Sequence, residues 1–288
     1  MSFQEAMEAG ELAEALRFSE AEHAAAPGPG TLFVLFELRA MLEDFAGARA
    51  ALAELQRLAP EAAGGLREME ACVAASEECA LRRTDAARAG RRAGLGPPPP
   101  AVLAAVQAAV AFAGGDAAAA RRALDEGKAH ATPTPGLLTT TGGAQLRFSD
   151  LVDADDLTGA SLPLVGGPAV LDAAFAQVRR LRVVQAEGYQ NQLWLPVELE
   201  TQDGRQLAAR LPALYPGSGR HEEPLVRIGR MTLWSHLEGV AVAYGQRDLK
   251  LISADGGCRM IGIWQVAELE LDATASPARK GFFGRLFS

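Results

Sequence analysis

Two stretches near the start of the chain, 3–26 and 31–60, carry the same pattern, and that repetition constrains the fold more than any other feature. Gly10 opens GELAEALRFSEAEHAAAP and Asp44 opens DFAGARAALAELQRLAP, so a turn, an Ala/Leu-rich helix and a closing proline recur from 10 to 44. A third copy, GDAAAARRALDEGKAHATP, runs from Gly115 to Pro133, about two periods on, with room for a degenerate unit around 71–89. A helical pair of this kind cannot bury its apolar face alone, so neighbouring pairs must stack.

The period of 33 to 34 residues is the tetratricopeptide spacing, and such stacks bind partners more often than they catalyse. In LFVLFELRAMLED, 32–44, Leu32, Leu35, Phe36 and Leu42 mark one helical face, and Phe33, Val34, Leu38 and Met41 widen it. A helix this apolar must be sandwiched. Candidate partner contacts lie on it: Phe33, Phe36, Glu37 and Arg39, with ordinary packing inside the stack as the competing reading for each. A further helix over 66–89 ends in a basic run, Arg82, Arg83, Arg88, Arg91 and Arg92. A solvated helix end, favoured by the helix dipole, explains that run better than an anion site. The four prolines of GLGPPPP, 94–100, form a stiff connector, and Pro100 suits the first turn of a helix over 101–113.

After Pro135 threonine and glycine replace the helix signal, which sets a domain boundary near 132–143. The expected class is α+β: a TPR-like helical hairpin stack over 1–135, then a smaller β-rich (mixed α/β) domain over 144–271. QLWLPVELET and RQLAARLPALY flank Asp203-Gly204, a strong hairpin signal. AVAYGQRDLKLIS and CRMIGIWQVAELEL flank a second turn at 254–257, and PAVLDAAFAQVRRL, from Pro168, reads as the one helix of this domain. A linker then leads into a basic, aromatic tail, 272–288, with Phe282, Phe283 and Phe287. Docking peptide, membrane-surface contact and lightly packed tail are all compatible with it.

A net charge of −8 argues against nucleic acid, whose phosphates need concentrated Lys and Arg. Cys72, Cys79 and Cys258 form no CxxC pair and read as small buried apolar residues. The N-terminal segment has acids and no apolar run, and no stretch approaches a membrane span, so a cytoplasmic protein is expected. His23, His130, His221 and His236 lack ligand-spaced companions, and Ser218 in PGSGR reads as a turn. The acidic cluster Asp150, Asp153, Asp155 and Asp156 invites a calcium reading, but an EF-hand loop from Asp153 would need glycine at Thr158 and glutamate at Leu164. Turn and capping roles suit it better. Neither a cofactor nor a metal is expected. An enzyme site in the second domain, using Asp153, Asp155, Gln246 and Arg247, stays open as an alternative, as does a general peptide-binding scaffold with another client.

Longer segments taken in order carry a family resemblance. LFVLFELRAMLEDFAGARAALAELQRLAP is followed by ECALRRTDAARAGRRAGLGPPPPAVLAAVQAAVAFAGGDAAAA and by VDAD at 152–155. LWLPVELETQDGRQLAARLPALYPGS, GQRDL at 245–249 and the closing ELEL complete the set. In that order they resemble the ImpE/TagJ family, accessory proteins of bacterial type VI secretion systems. The resemblance implies a non-enzymatic protein that binds the contractile sheath through the N-terminal helix of the small sheath subunit, with a link to sheath recycling by the system's AAA+ unfoldase. Two departures stand out. VGGPAVLDAAF replaces an aromatic-rich GxYYWVPF stretch, and Leu214 stands where the family often has arginine before the YPGS turn.

Overall fold

In each helical unit an acidic residue opens the second helix and an alanine four positions later is fully enclosed: Glu11 and Ala15, Asp44 and Ala48, Asp85 and Ala89, Asp116 and Ala120. The small residue lets the two helices of a hairpin approach closely, and the acid ends the turn before it. Asp44 accepts from Gly47 N at 3.0 Å and Asp116 from Ala119 N at 2.8 Å, while Asp85 takes the amides of Ala87 and Arg88. These carboxylates satisfy amides that a helix start otherwise leaves without partners.

A computed structural model describes residues 1–167, 169–185 and 188–272. Four hairpins come first: α1 (Phe3–Ala9) with α2 (Leu12–Ala25), α3 (Pro29–Met41) with α4 (Phe45–Leu58), α5 (Ala63–Arg82) with the short α6 (Ala86–Ala89), and α7 (Pro100–Ala113) with α8 (Ala117–His130). The degenerate unit is therefore α5 and α6, split where Asp85 starts a new cap. Pro100 opens α7 as the sequence indicates.

Strands follow the two-residue β1 (Ala93–Gly94): β2 (Gly136–Thr140), β3 (Gln145–Phe148), β4 (Asp150–Asp153), β5 (Ser161–Gly166), β6 (Ala169–Ala174) and β7 (Val178–Val183). Then come α9 (Tyr189–Leu193), β8 (Trp194–Thr201), β9 (Gln206–Pro212), α10 (Pro224–Arg227), β10 (Thr232–Leu237), β11 (Val240–Gly245), β12 (Asp248–Ile252), β13 (Cys258–Gly262) and β14 (Val266–Leu271). Among the described residues they make a nine-stranded sheet in the order β1-β6-β5-β9-β8-β7-β14-β2-β3, a three-stranded sheet β13-β12-β4 and the ribbon β10-β11. The two larger sheets share one apolar core, with Leu162, Leu181, Leu199 and Leu269 facing Leu151, Leu249 and Ile261. On the outer face of the large sheet, Arg180 reaches Glu268 at 2.5 Å and Arg179 reaches Glu200 at 2.9 Å, as cross-strand pairs do when one face meets water.

Both hairpins expected from turn residues form. β8 and β9 pair from Trp194↔Pro212 to Glu200↔Gln206 around Gly204 (φ 84°), and β12 and β13 pair from Asp248↔Gly262 to Ile252↔Cys258 around Gly256 (φ 83°). The helix expected over 168–181 does not form among the described residues. From Ala169 on they are β6, a turn of 3-10 helix and β7, with β6 laddered to β5 from Ser161↔Ala174 to Gly166↔Ala169. Alanine favours helix by only about 0.7 kcal/mol or less per residue, and burial of Val170, Ala173, Ala174 and Phe175 against a paired neighbour outweighs it. The sheet also starts earlier than 144, because β2 at 136–140 is already paired with β14. Phe282, Phe283 and Phe287 lie outside the described residues.

The helical stack and the sheet are packed together. One core cluster joins Leu35, Phe36, Leu52 and Val73 of the helices to Val165, Val170, Leu193 and Trp194 of the β-rich part. Cys72 sits in that cluster and Cys79 packs against it, as expected of small apolar side chains, whereas Cys258 is exposed.

Candidate functional site

The polar groups of the second domain gather where it meets the helices. Asp153 closes β4, and its carboxylate accepts from the Arg247 guanidinium at 2.5 Å, from the Tyr215 hydroxyl at 2.8 Å and from Asp155 N at 2.8 Å. Arg247, between β11 and β12, also donates to Pro212 O at 3.1 Å and lies over the Tyr215 ring, 4.7 Å from its centroid. Burial pushes the Asp153 carboxyl upward, and Arg247 opposes that shift.

Asp155 belongs to the junction. Its Oδ2 accepts from Arg83, just beyond α5, at 2.6 Å and from Ala243 N at 2.9 Å, and its Oδ1 accepts from Leu157 N at 2.9 Å. Asp156 takes Ala241 N at 2.8 Å. Of the four residues singled out for a site here, Asp153, Asp155 and Arg247 are therefore brought together, with both carboxylates filled by protein donors. Gln246 is apart: its side chain lies against Gly262, and its carbonyl accepts from Thr232 Oγ1 at 2.9 Å. Among the described residues, no group of three His, Cys, Asp or Glu side chains has the geometry to hold a metal ion. The turn reading of Ser218 holds, since its hydroxyl donates to Tyr215 O at 2.5 Å and accepts from Gly245 N at 2.7 Å.

Three arginines of the basic run, Arg82, Arg83 and Arg92, are drawn inside rather than solvated, whereas Arg88 is half-buried and Arg91 exposed. Arg82 is buried and donates to Asp172 of β6 at 3.2 Å and to Arg91 O at 3.2 Å, while Arg83 bridges Asp155 and Pro216 O. Arg92 bonds Ala89 O and Leu157 O. Burial pushes Asp172 upward, with Arg92 and Arg82 opposing. Sequence reading had no route to these pairs, which join groups some 70 to 90 positions apart: Arg83 with Asp155, and Arg82 with Asp172.

Of the four candidate partner contacts on α3, two face inward. Phe36 is fully enclosed and stacks on Trp194, ring centroids 6.2 Å apart. Glu37 is 5% exposed and accepts from Gln190 N at 3.0 Å. The part of α3 that carries Phe36 and Glu37 is thus occupied by α9 and β8, because the sheet covers that side of the stack. Phe33 and Arg39 are half-buried; Arg39 pairs with Glu20 at 3.4 Å. A second clamp went unseen in the sequence. Glu43 ends the α3 turn at φ 55°, and its carboxylate accepts from Gly217 N at 2.7 Å. Gly219 packs so closely there that a Cβ would overlap the Met41 carbonyl.

Glu43 and Gly217 of this clamp, and the Asp153–Arg247 pair, fall within LFVLFELRAMLED, YPGS, VDAD and GQRDL, segments that carry the resemblance. Residues 145–270 match the family model described as ImpE protein. Over these residues the chain is similar to the ImpE family. The matched ImpE region spans β3 to β14 and leaves the helical stack outside. The match to the ImpE model supports an accessory role in type VI secretion. The fold is also that of protein VPA1032 from Vibrio parahaemolyticus, whose crystal structure superposes with a TM-score of 0.80 at 18% identity over 94% of this chain and 98% of that one. A comparison with the curated proteins finds no match. Among the described residues, no helix is long and apolar enough to cross a membrane.

Proposed function

We propose that this chain is a non-enzymatic, cytoplasmic adaptor of type VI secretion that binds the N-terminal helix of the small sheath subunit and links contracted sheath to the AAA+ unfoldase that recycles it. The observation that carries this reading is the joining of an ImpE region to four stacked helical hairpins, an architecture suited to holding an amphipathic helix. The saturation of Asp153, Asp155 and Arg247 by one another and by backbone groups favours a structural use of these residues over the enzyme alternative.

The test uses the whole chain, because the core of the stack includes Trp194, Val165 and Val170. A peptide of the sheath subunit's first helix binds with a Kd of about 1 μM or tighter. Phe33→Ala weakens binding at least about fivefold with the fold intact, a loss of roughly 1 kcal/mol. Phe36→Ala instead costs about 3–5 kcal/mol of stability, the penalty for emptying an aromatic site in a packed core. Failure of the full chain to bind the peptide in titration calorimetry refutes the reading.

A further inference from the structure

The arginines at the junction line a cavity. Arg82, Arg83, Arg92 and Arg247 enclose about 50 Å³ together with Asp155 and Asp172, room for several waters at the roughly 10–15 Å³ that each needs. Arg82 and Arg92 also line a wider groove outside it, where Arg91 and Glu78 join them. Asp153 holds Arg247 from behind, and Glu78 is shared between Arg82 and Arg88, which also reaches Asp85. The balance around the cavity and groove is thus six guanidiniums to five carboxylates, a local surplus of positive charge on a chain of net charge −8.

Two donors there lack a close acceptor. Arg82 Nε is buried without a hydrogen bond, its nearest carboxylate oxygen being Glu78 Oε1 at 3.5 Å. Arg92 Nη1 stands 3.6 Å from Asp172, beyond hydrogen-bond reach. A buried N–H of a charged group left without an acceptor is costly, and an oxygen supplied from outside would satisfy it. Both side chains border the cavity and the groove.

We propose that this cavity binds a small oxyanion of the phosphate or sulfate type, held by Arg82 and Arg92 and bridging the end of α5 to β6. The site differs from the partner surface on the helices and does not depend on the proposed function.

Inorganic phosphate is the probe, applied to the full chain at fixed pH and ionic strength with chloride as the reference salt. The thermal midpoint rises with phosphate concentration as site binding requires, and equilibrium dialysis returns one phosphate per chain. Arg92→Gln weakens the apparent affinity at least about tenfold, the effect of losing one charge-assisted hydrogen bond. Glu78→Gln, which removes a competing carboxylate, tightens it severalfold. Equal midpoints in phosphate and chloride overturn the proposal, as does an Arg92→Gln variant with the full phosphate response. Should Arg92→Gln not fold, the Glu78→Gln titration decides: an affinity no tighter than that of the unmodified chain overturns it.

Discussion

Glu37 shows how one residue changes meaning once its neighbours are known. On a helical wheel it is one of the few polar positions of an apolar helix, which invites a role at a surface. In the folded chain it is nearly enclosed, and burial raises its pKa from the ordinary 4.5 to about 6, with the Gln190 amide pulling the other way. The folded state therefore keeps a proton that the unfolded chain releases between pH 4.5 and about 6. Its contribution to stability is complete below 4.5 and is lost as pH rises through about 6. Above that window the buried charge costs up to about 2 kcal/mol, at 1.36 kcal/mol per pKa unit. Glu37→Gln, which keeps an acceptor for Gln190, is expected to raise stability by about 1–2 kcal/mol at pH 7 and by little at pH 4.5. Urea unfolding of both proteins at these pH values measures it, and a variant less stable at pH 7 contradicts the account. Asp153 and Arg247 were visible as chemistry-bearing types, but their pairing across 94 positions was not. Neither residue's own segment contains anything that specifies its partner.

At the scale of elements, legibility followed the range of the deciding interaction. Helix starts and short turns are settled within four or five residues, so the helix openings at Asp44 and Gly115 and the turns at Gly204 and Gly256 could be read directly. The segment 168–181 is the counterexample. Its alanines and spaced apolar residues suit a helix, and only the ladder to β5 and the cover from the helices make it strand. The repeated cap also gives an internal experiment. Glu11 has backbone angles (φ −80°, ψ 65°) close to those of Asp44 (φ −81°, ψ 72°), but its longer side chain makes no cap bond. Asp44→Ala is expected to cost about 1 kcal/mol, and Glu11→Asp to gain about 0.5–1 kcal/mol. Chemical denaturation of the two variants checks the opposite signs; a loss in both would show that the first unit does not share the geometry.

At the scale of the molecule, the stack and the sheet are two faces of shared cores. Val240 and Val242 of β11 pack with Ala108, Ala120 and Leu124 of the last hairpin, as Trp194 packs with Phe36 near the first. Arg121 donates to Gly239 O at 3.0 Å, and Arg230 donates to Glu8 O at 2.7 Å, so the contacts run along the stack. Residues 1–135 alone would expose Phe36 and leave Glu37 and Arg83 without partners. That fragment is expected to aggregate or to lack a cooperative transition, whereas the full chain unfolds in one step by near- and far-ultraviolet circular dichroism alike. A cooperative, monomeric 1–135 would refute this. Repeat spacing, turn positions and the α+β division were determined by sequence alone, because each rests on local backbone preference and the period of apolar residues. Only the tertiary structure decided that the sheet covers the inner face of α3 and α5, and that the arginines ending α5 are ion-paired inside. Those outcomes depend on burial and charge pairing between distant segments, which no short window of sequence contains.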